Sequence, residues 1–231
     1  MTTISTNQNP GSYPTEAAAA VKQVMPMRSE FAQRYREAAD AAVAAPFKGV
    51  TTDGNVAPGL YQVERTGIST APVVQAAQAF LASLRDDQRA HATFPLDTDW
   101  WRRWSNIHPL VMRHGLAVAQ MDPAQAELAF GLLRASLSAP GFELARDVMR
   151  LNETVAEMTG KFDEYGERFY WLSVMGTPSE TEPWGWQVDG HHLIINYVVV
   201  GDQVTMTPAF LGSEPVLARD GKYAGTRVFG P

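Results

Sequence analysis

Residues 184–208 read WGWQVDGHHLIINYVVVGDQVTMTP, and their reading decides the fold. Two runs rich in β-branched and aromatic residues, HHLIINYVVV and QVTMTPAFLG, flank Gly201-Asp202. Such runs suit pleated strands, and Gly-Asp is a two-residue turn signal, so a β-hairpin with Val200 opposite Gln203 is expected. Strand side chains alternate. Leu193, Ile195, Tyr197 and Val199 then share an apolar, core-facing side with Val204, Met206, Pro208 and Phe210. The other side carries His192, Ile194, Asn196 and Val198, with Thr205 and Thr207 across from Val198 and Asn196. A one-residue slip would mix the two sets, so the pattern supports this register.

The adjacent histidines sit at the mouth of this hairpin. On a strand they point in opposite directions, so only one belongs to a given site unless Gly190 bends the strand start. His192 falls beside Asn196, Thr205 and Thr207, which read as the floor of a polar cleft, and His191 falls on the apolar side near the rim. The alternative is that both are structural.

Working back towards the N-terminus, ERFYWLSVMG (167–176) reads as a strand and TPSETEPWGW (177–186) as a loop. Before Gly160 the period is helical. FELARDVMRLNETVAEMTG is a helix closed by Gly160. In MDPAQAELAFGLLRASLSAPG, Asp122 is the N-cap, Pro123 the first helical residue and Gln125 the capping-box partner, with Pro140-Gly141 as the stop. STAPVVQAAQAFLASLRDDQ places Val73, Ala76, Ala77, Phe80, Leu81 and Leu84 on one face. An Ala-rich helical pattern runs from Thr15 to Ala45, with a break expected at Pro26. Helices first and strands second argue for an α+β fold, a helical N-terminal half packed on an antiparallel sheet formed by the C-terminal half. Residues 1–14 read as a disordered tail and 15–231 as a single domain.

The 231 residues are 45% hydrophobic and 19% charged, an ordinary globular composition. No apolar run approaches the roughly 20 residues of a membrane span. A net charge of -6 argues against a nucleic-acid partner. With no cysteine, disulfides, thiolate metal sites and thiol nucleophiles are excluded. The N-terminus lacks a basic segment followed by an apolar core, so a cytoplasmic location is the default expectation. Hydrolase elbows, phosphate-cradling loops, H-E-x-x-H and dinucleotide fingerprints are missing, and no nucleotide cofactor is expected.

Chemistry concentrates in one further stretch, WWRRWSNIHPLVMRHG (100–115). Arginine stacks on tryptophan and its guanidinium grips carboxylate or phosphate, so Arg103 and Arg113, with Asn106 and His108, read as the anion-holding wall of a site. The plainer reading is an aromatic anchor for a long loop. Glu153 and Glu157 are four apart on one helix face, and a solvated face is the better reading of them. Glu180, Glu182 and Asp189 are carboxylates near the histidines, and a divalent metal held by His108, His192 and a carboxylate is a further option.

Taken together, FPLDTDWWRRWSNIHP, RHGL, LLRASLSAPGFELARDVMRLNET, FYWLSVMG through the Gly-His-His segment, and KYAGTRVF resemble a bacterial and fungal family catalogued as a domain of unknown function, number thirty-five hundred. The resemblance covers roughly Ala76 to the end. Arg103, Asn106, His108, Trp184, Trp186, Asp189, Gly190, His191 and His192 match its pattern, and it assigns no catalytic residue. Members of that family run past the Gly-rich ending of this chain, which implies a C-terminal part of the fold beyond Pro231.

The expectation is an enzyme, a hydrolase or lyase of a small anionic substrate, with His192 and His108 as general acid and base. Arg103, Asn106, Arg113, Trp184, Trp186, Asp189, His191 and Asn196 are the candidate substrate-binding residues. The alternatives are a non-catalytic small-ligand module using Trp184 and Trp186 as stacking platforms, or motifs that only staple the helical half to the sheet. Arg103, His108 and His192 are expected to line one pocket beside Trp186.

Overall fold

The computed structural model describes residues 30–46, 55, 57–59, 64–108 and 114–230. The expected tail over 1–14 and break at Pro26 lie outside them.

Among the described residues, five α-helices come from the first two thirds of the chain: α1 (Glu30–Ala44), α2 (Ala71–Ser83), α3 (Asp86–Ala92), α4 (Pro123–Ser136) and α5 (Ala139–Thr159). The α4 start has the expected chemistry. The Asp122 carboxylate accepts from Gln125 N, and Gln125 returns a bond to Asp122 N. Pro140 and Gly141 do not simply stop α4. Ser138 caps a new helix by accepting from Gly141 N, and Pro140 fills its first turn, where a missing N–H costs nothing. Gly160, at φ 70°, closes α5 in the left-handed conformation.

Seven strands form one sheet: β1 (Thr93–Phe94), β2 (Leu116–Ala117), β3 (Tyr170–Met175), β4 (Trp184–Gly190), β5 (Leu193–Val200), β6 (Gln203–Thr205) and β7 (Ala209–Leu211). The architecture is α+β. The sheet is mixed rather than purely antiparallel, because β1 from the helical half pairs parallel with β3. Strands β3, β4 and β5 form its antiparallel centre. The Trp-Gly-Trp segment belongs to β4 and not to a loop.

One face of the centre is apolar: Tyr170, Leu172 and Val174, then Trp184, Trp186 and Val188, then Leu193, Ile195, Tyr197 and Val199. These side chains pack with Val73, Ala77 and Phe80 of α2, Phe130 and Leu133 of α4, and Met149 of α5 in one core. Burying each large side chain contributes about 1.5–3 kcal/mol.

The outer chain keeps the expected register through β6 and departs from it at β7. Val200 lies opposite Gln203 and Val198 opposite Thr205. Further along, Ile195 pairs with Ala209 and Ile194 with Phe210. Three residues of β5 are therefore matched to four of the outer chain, a bulge that moves Phe210 to the opposite face. Val204 and Met206 are half exposed, so neither they nor Phe210 join the core predicted for them.

Candidate functional site

The segment after β1 folds over the second face of the sheet. Trp101 O accepts from Gln187 Nε2 and from Asn196 Nδ2, each at 3.2 Å. Gln187 Nε2 also donates to Asn196 Oδ1 at 2.5 Å. Ser105 N points at Asp189 Oδ1 at 3.4 Å. Gly185 makes room for this roof, since a Cβ there would stand 2.9 Å from the Trp101 indole and 2.2 Å from Tyr197 O. The polar side of β5 is thus roofed: Asn196 and Asp189 are buried beneath the Trp-Arg segment. The arginines point outward from it. Arg102 Nη2 donates to Ala42 O and Ala45 O at the end of α1, where backbone carbonyls lack helical partners. Arg103 lies over the Trp100 ring at 5.3 Å and pairs with Asp40 at 2.8 Å. Arg113 lies outside the described residues.

Trp184 and Trp186 are fully buried. Trp186 stacks on Tyr197 with ring centres 5.2 Å apart and donates from Nε1 to Ser136 Oγ at 3.1 Å. Trp184 donates to Ser179 O. Neither ring offers a face to a ligand.

The two histidines end up together. Gly190 pairs with Leu193, so His191 and His192 form a two-residue turn between β4 and β5 rather than the start of a strand. His192 adopts φ 60°, a left-handed conformation typical of such turns. Alternation does not apply inside a turn, and the two rings lie 4.0 Å apart on one side. Backbone bonds pin the turn: His192 N donates to Asn106 O, Gly212 N to His192 O, and Tyr170 Oη to His191 O. Gly190 is required by the Tyr170 ring, which a Cβ at position 190 would meet at 2.1 Å.

This turn lines a concave pocket of about 490 Å³ with Ile107, His108, Val155, Met158, Tyr165 and Glu214. His108 stacks on Tyr165 at 4.2 Å and stands 6.0 Å from His191. Its Nε2 is 3.0 Å from Glu164 Oε2, which also receives Lys161 Nζ at 3.2 Å. His191 Nδ1 is 2.9 Å from Asn152 Oδ1. His192 Nε2 is 3.6 Å from Glu214 Oε2, at the solvent-exposed mouth. Burial, with the nearby Glu164 carboxylate second, holds the Tyr165 hydroxyl above the usual phenol range. Of the three residues expected in one pocket, His108 and His192 line it and Arg103 does not. Trp186 lies under the sheet instead of beside it. Asn106 contributes its backbone to the turn, and its side of the segment faces a separate groove with Tyr35 and Trp104.

A family model matches the part of the chain that builds the sheet and this pocket, residues 66–231. The chain belongs to the DUF3500 family, described as a protein of unknown function. No curated protein and no solved structure matches it. Within the stretch shared with DUF3500 lie residues that sequence patterning passed over: Tyr165 and Glu214 in the pocket wall, and Asn152 and Glu164, which contact its histidines. DEYGERFYW (163–171) carried a signal, a Glu-Tyr pair just ahead of an aromatic strand, but only the fold brings it against His108. Glu153 and Glu157 serve the chain's own backbone. Glu153 accepts from Glu167 N and Glu157 from Lys222 N, docking two later segments on α5. Among the described residues, no helix is long and apolar enough to cross a membrane, and no group of three His, Asp or Glu could hold a metal ion.

Proposed function

We propose that the histidine pocket is an acid–base site for a small molecule, and that it performs hydrolysis or elimination. The observation that carries this reading is the Glu164–His108 contact beside two further imidazoles, all opening on one cavity. A carboxylate at one ring nitrogen orients an imidazole and offers a counter-charge to its protonated form, as in the carboxylate–histidine pairs of many hydrolases. His191 places a second imidazole 6.0 Å from His108, with the His192 ring 4.0 Å from His191, and acid–base chemistry needs more than one such group at the ligand. The protonated Tyr165 hydroxyl adds a donor for a developing negative charge.

An arginine anion clamp is not part of this reading, because Arg103 is taken by Asp40. The non-catalytic alternative keeps the pocket and drops the turnover; it cannot use Trp184 and Trp186, which are buried. Hydrolysis of p-nitrophenyl acetate separates the two. The acid–base reading expects wild-type protein to outpace three equivalents of free imidazole, with His108→Gln and Glu164→Gln both losing at least about tenfold, or about 1.4 kcal/mol. A wild-type rate no faster than free imidazole would overturn it.

A further inference from the structure

Residues 161–168 bring Glu164 and Tyr165 to the pocket with no helix or strand of their own, so other elements must hold them in place. Helix α5 supplies two ties. Asn152 Nδ2 donates to Gly166 O at 2.8 Å, and Glu153 Oε2 accepts from Glu167 N at 2.9 Å. A third tie comes from much later in the chain. Lys222 Nζ donates to Glu167 Oε1 at 2.9 Å and Tyr223 Oη donates to Glu167 Oε2, so each oxygen of this carboxylate has its own donor. Hydrogen bonds to an ionised carboxylate are among the stronger ones. The two donors open KYAGTRVF (222–229), a stretch that the pocket itself does not use. Their turn is seated on α5. Lys222 N donates to Glu157 Oε1 at 3.1 Å, and Gly221, at φ 78°, leaves room for that carboxylate, since a Cβ there would stand 1.9 Å from Glu157 Oε2. Ala218 and Val228 pack on Leu151 beside it. Val155 and Met158 of α5 face the cavity, whereas Glu153 and Glu157 face these later segments, so the C-terminal turn reaches the loop from the side of α5 away from the cavity.

We propose that Lys222 and Tyr223 are positioning residues of the pocket: by clasping Glu167 they hold the loop that sets Glu164 against His108. The inference rests on the acid–base reading of that pocket and names what keeps its carboxylate in place. Glu164 and Glu167 share one short loop, so a shift at Glu167 is carried to Glu164 through the backbone. The Glu164–His108 contact of 3.0 Å tolerates little displacement before it ceases to be a hydrogen bond. Neither Lys222 nor Tyr223 lines the cavity, so both act through Glu167 and not on a ligand.

The test is imidazole 1H–15N correlation spectroscopy, with p-nitrophenyl acetate hydrolysis, on the full chain. The His108 ring signals are those lost in His108→Gln, and Glu164→Gln should move them. Tyr223→Phe and Glu167→Leu should move them in the same direction, and Glu167→Gln, which keeps one acceptor, less far than Glu167→Leu. In a Glu164→Gln background each change should move them less far than it does alone, because the clasp acts through Glu164. In Tyr223→Phe, kcat should fall by about threefold or more while KM stays within about twofold. Val228→Ala loosens the same C-terminal segment on α5 and should lower stability, yet leave the His108 signals in place. If Glu167→Leu does not fold, Tyr223→Phe carries the test. His108 signals that stay put in Tyr223→Phe, or that move as far in the Glu164→Gln background, overturn the proposal. So do equal shifts in Val228→Ala, or a Glu164→Gln spectrum in which His108 has not moved. The expected signals, with p-nitrophenyl acetate turnover no faster than free imidazole, would leave the clasp standing and end the acid–base reading.

Discussion

The roofed face of the sheet and the histidine pocket are built from the same kinds of residue and lie a few residues apart in sequence, yet they spend their polar groups differently. Under the roof, Gln187 and Asn196 converge on one carbonyl, that of Trp101, and bond to each other. The hydrogen bonds there run between protein groups, and Gln187 and Asn196 are both buried. In the pocket, Glu164, Asn152 and Glu214 each approach one imidazole from behind or from the mouth, while the cavity itself is left open. A polar cluster that bonds inward holds the fold, and one whose partners all stand on its outer side leaves an inner side for chemistry. Composition does not distinguish these two cases.

Mutations at the two places should therefore separate stability from ligand chemistry. The largest effect is expected in the apolar core, on the face of the sheet opposite the roof. Trp186→Ala removes a fully buried ring that stacks on Tyr197, and should cost about 3–5 kcal/mol in urea unfolding. A smaller loss would mean that this part of the core is looser than its packing indicates. Next comes Asn196→Leu, which removes one of the two side-chain bonds to Trp101 O and one of the two acceptors of Gln187 Nε2. About 1–3 kcal/mol of stability should go, with p-nitrophenyl acetate hydrolysis retained. If hydrolysis is lost as well, the two regions are coupled and the contrast fails.

Pocket substitutions should invert the pattern. His108→Gln retains a donor for Glu164, so the part-buried pair keeps a partner, and the variant is expected to cost about 0.5–1.5 kcal/mol, the net scale of one hydrogen bond, while p-nitrophenyl acetate hydrolysis falls. His192 is better tested as His192→Asn than His192→Ala. Asparagine tolerates φ 60°, whereas alanine would add a backbone penalty unrelated to the imidazole. The smallest effect is expected from Arg103→Ala. Its pairing with Asp40 is partly exposed and should contribute no more than about 1 kcal/mol, shrinking further in high salt, with pocket chemistry untouched. A large loss of turnover in that variant would restore the arginine to the site.

Much of the fold was legible before any coordinates. The α4 capping box, the Gly160 stop, the Gly201-Asp202 turn and the apolar set Leu193, Ile195, Tyr197 and Val199 all follow from local rules that act within a few residues. The errors share one cause. Strand β4 was hidden because Trp-Gly-Trp after an acidic loop looks like more loop, and with β4 unseen the His191-His192 turn could only be read as the start of a strand. The bulge before β7 is invisible to alternation, since adding one residue leaves the sequence pattern intact and changes only the pairing.

Sequence by itself determined the change from helices to strands near Gly160, the apolar side of β5 and the stretches in which chemistry would be found, because hydrophobic period, caps and turn residues act through nearest neighbours along the chain. Tertiary structure alone decided which polar residues meet. Asn152 and His191 are 39 residues apart, His108 and Glu164 are 56, and Gln187 and Trp101 are 86. Whether such groups saturate one another or surround a cavity depends on how the chain closes over the sheet. Hydrogen bonds of that kind form between whichever donors and acceptors the packed core brings within about 3 Å, a condition that no local pattern encodes.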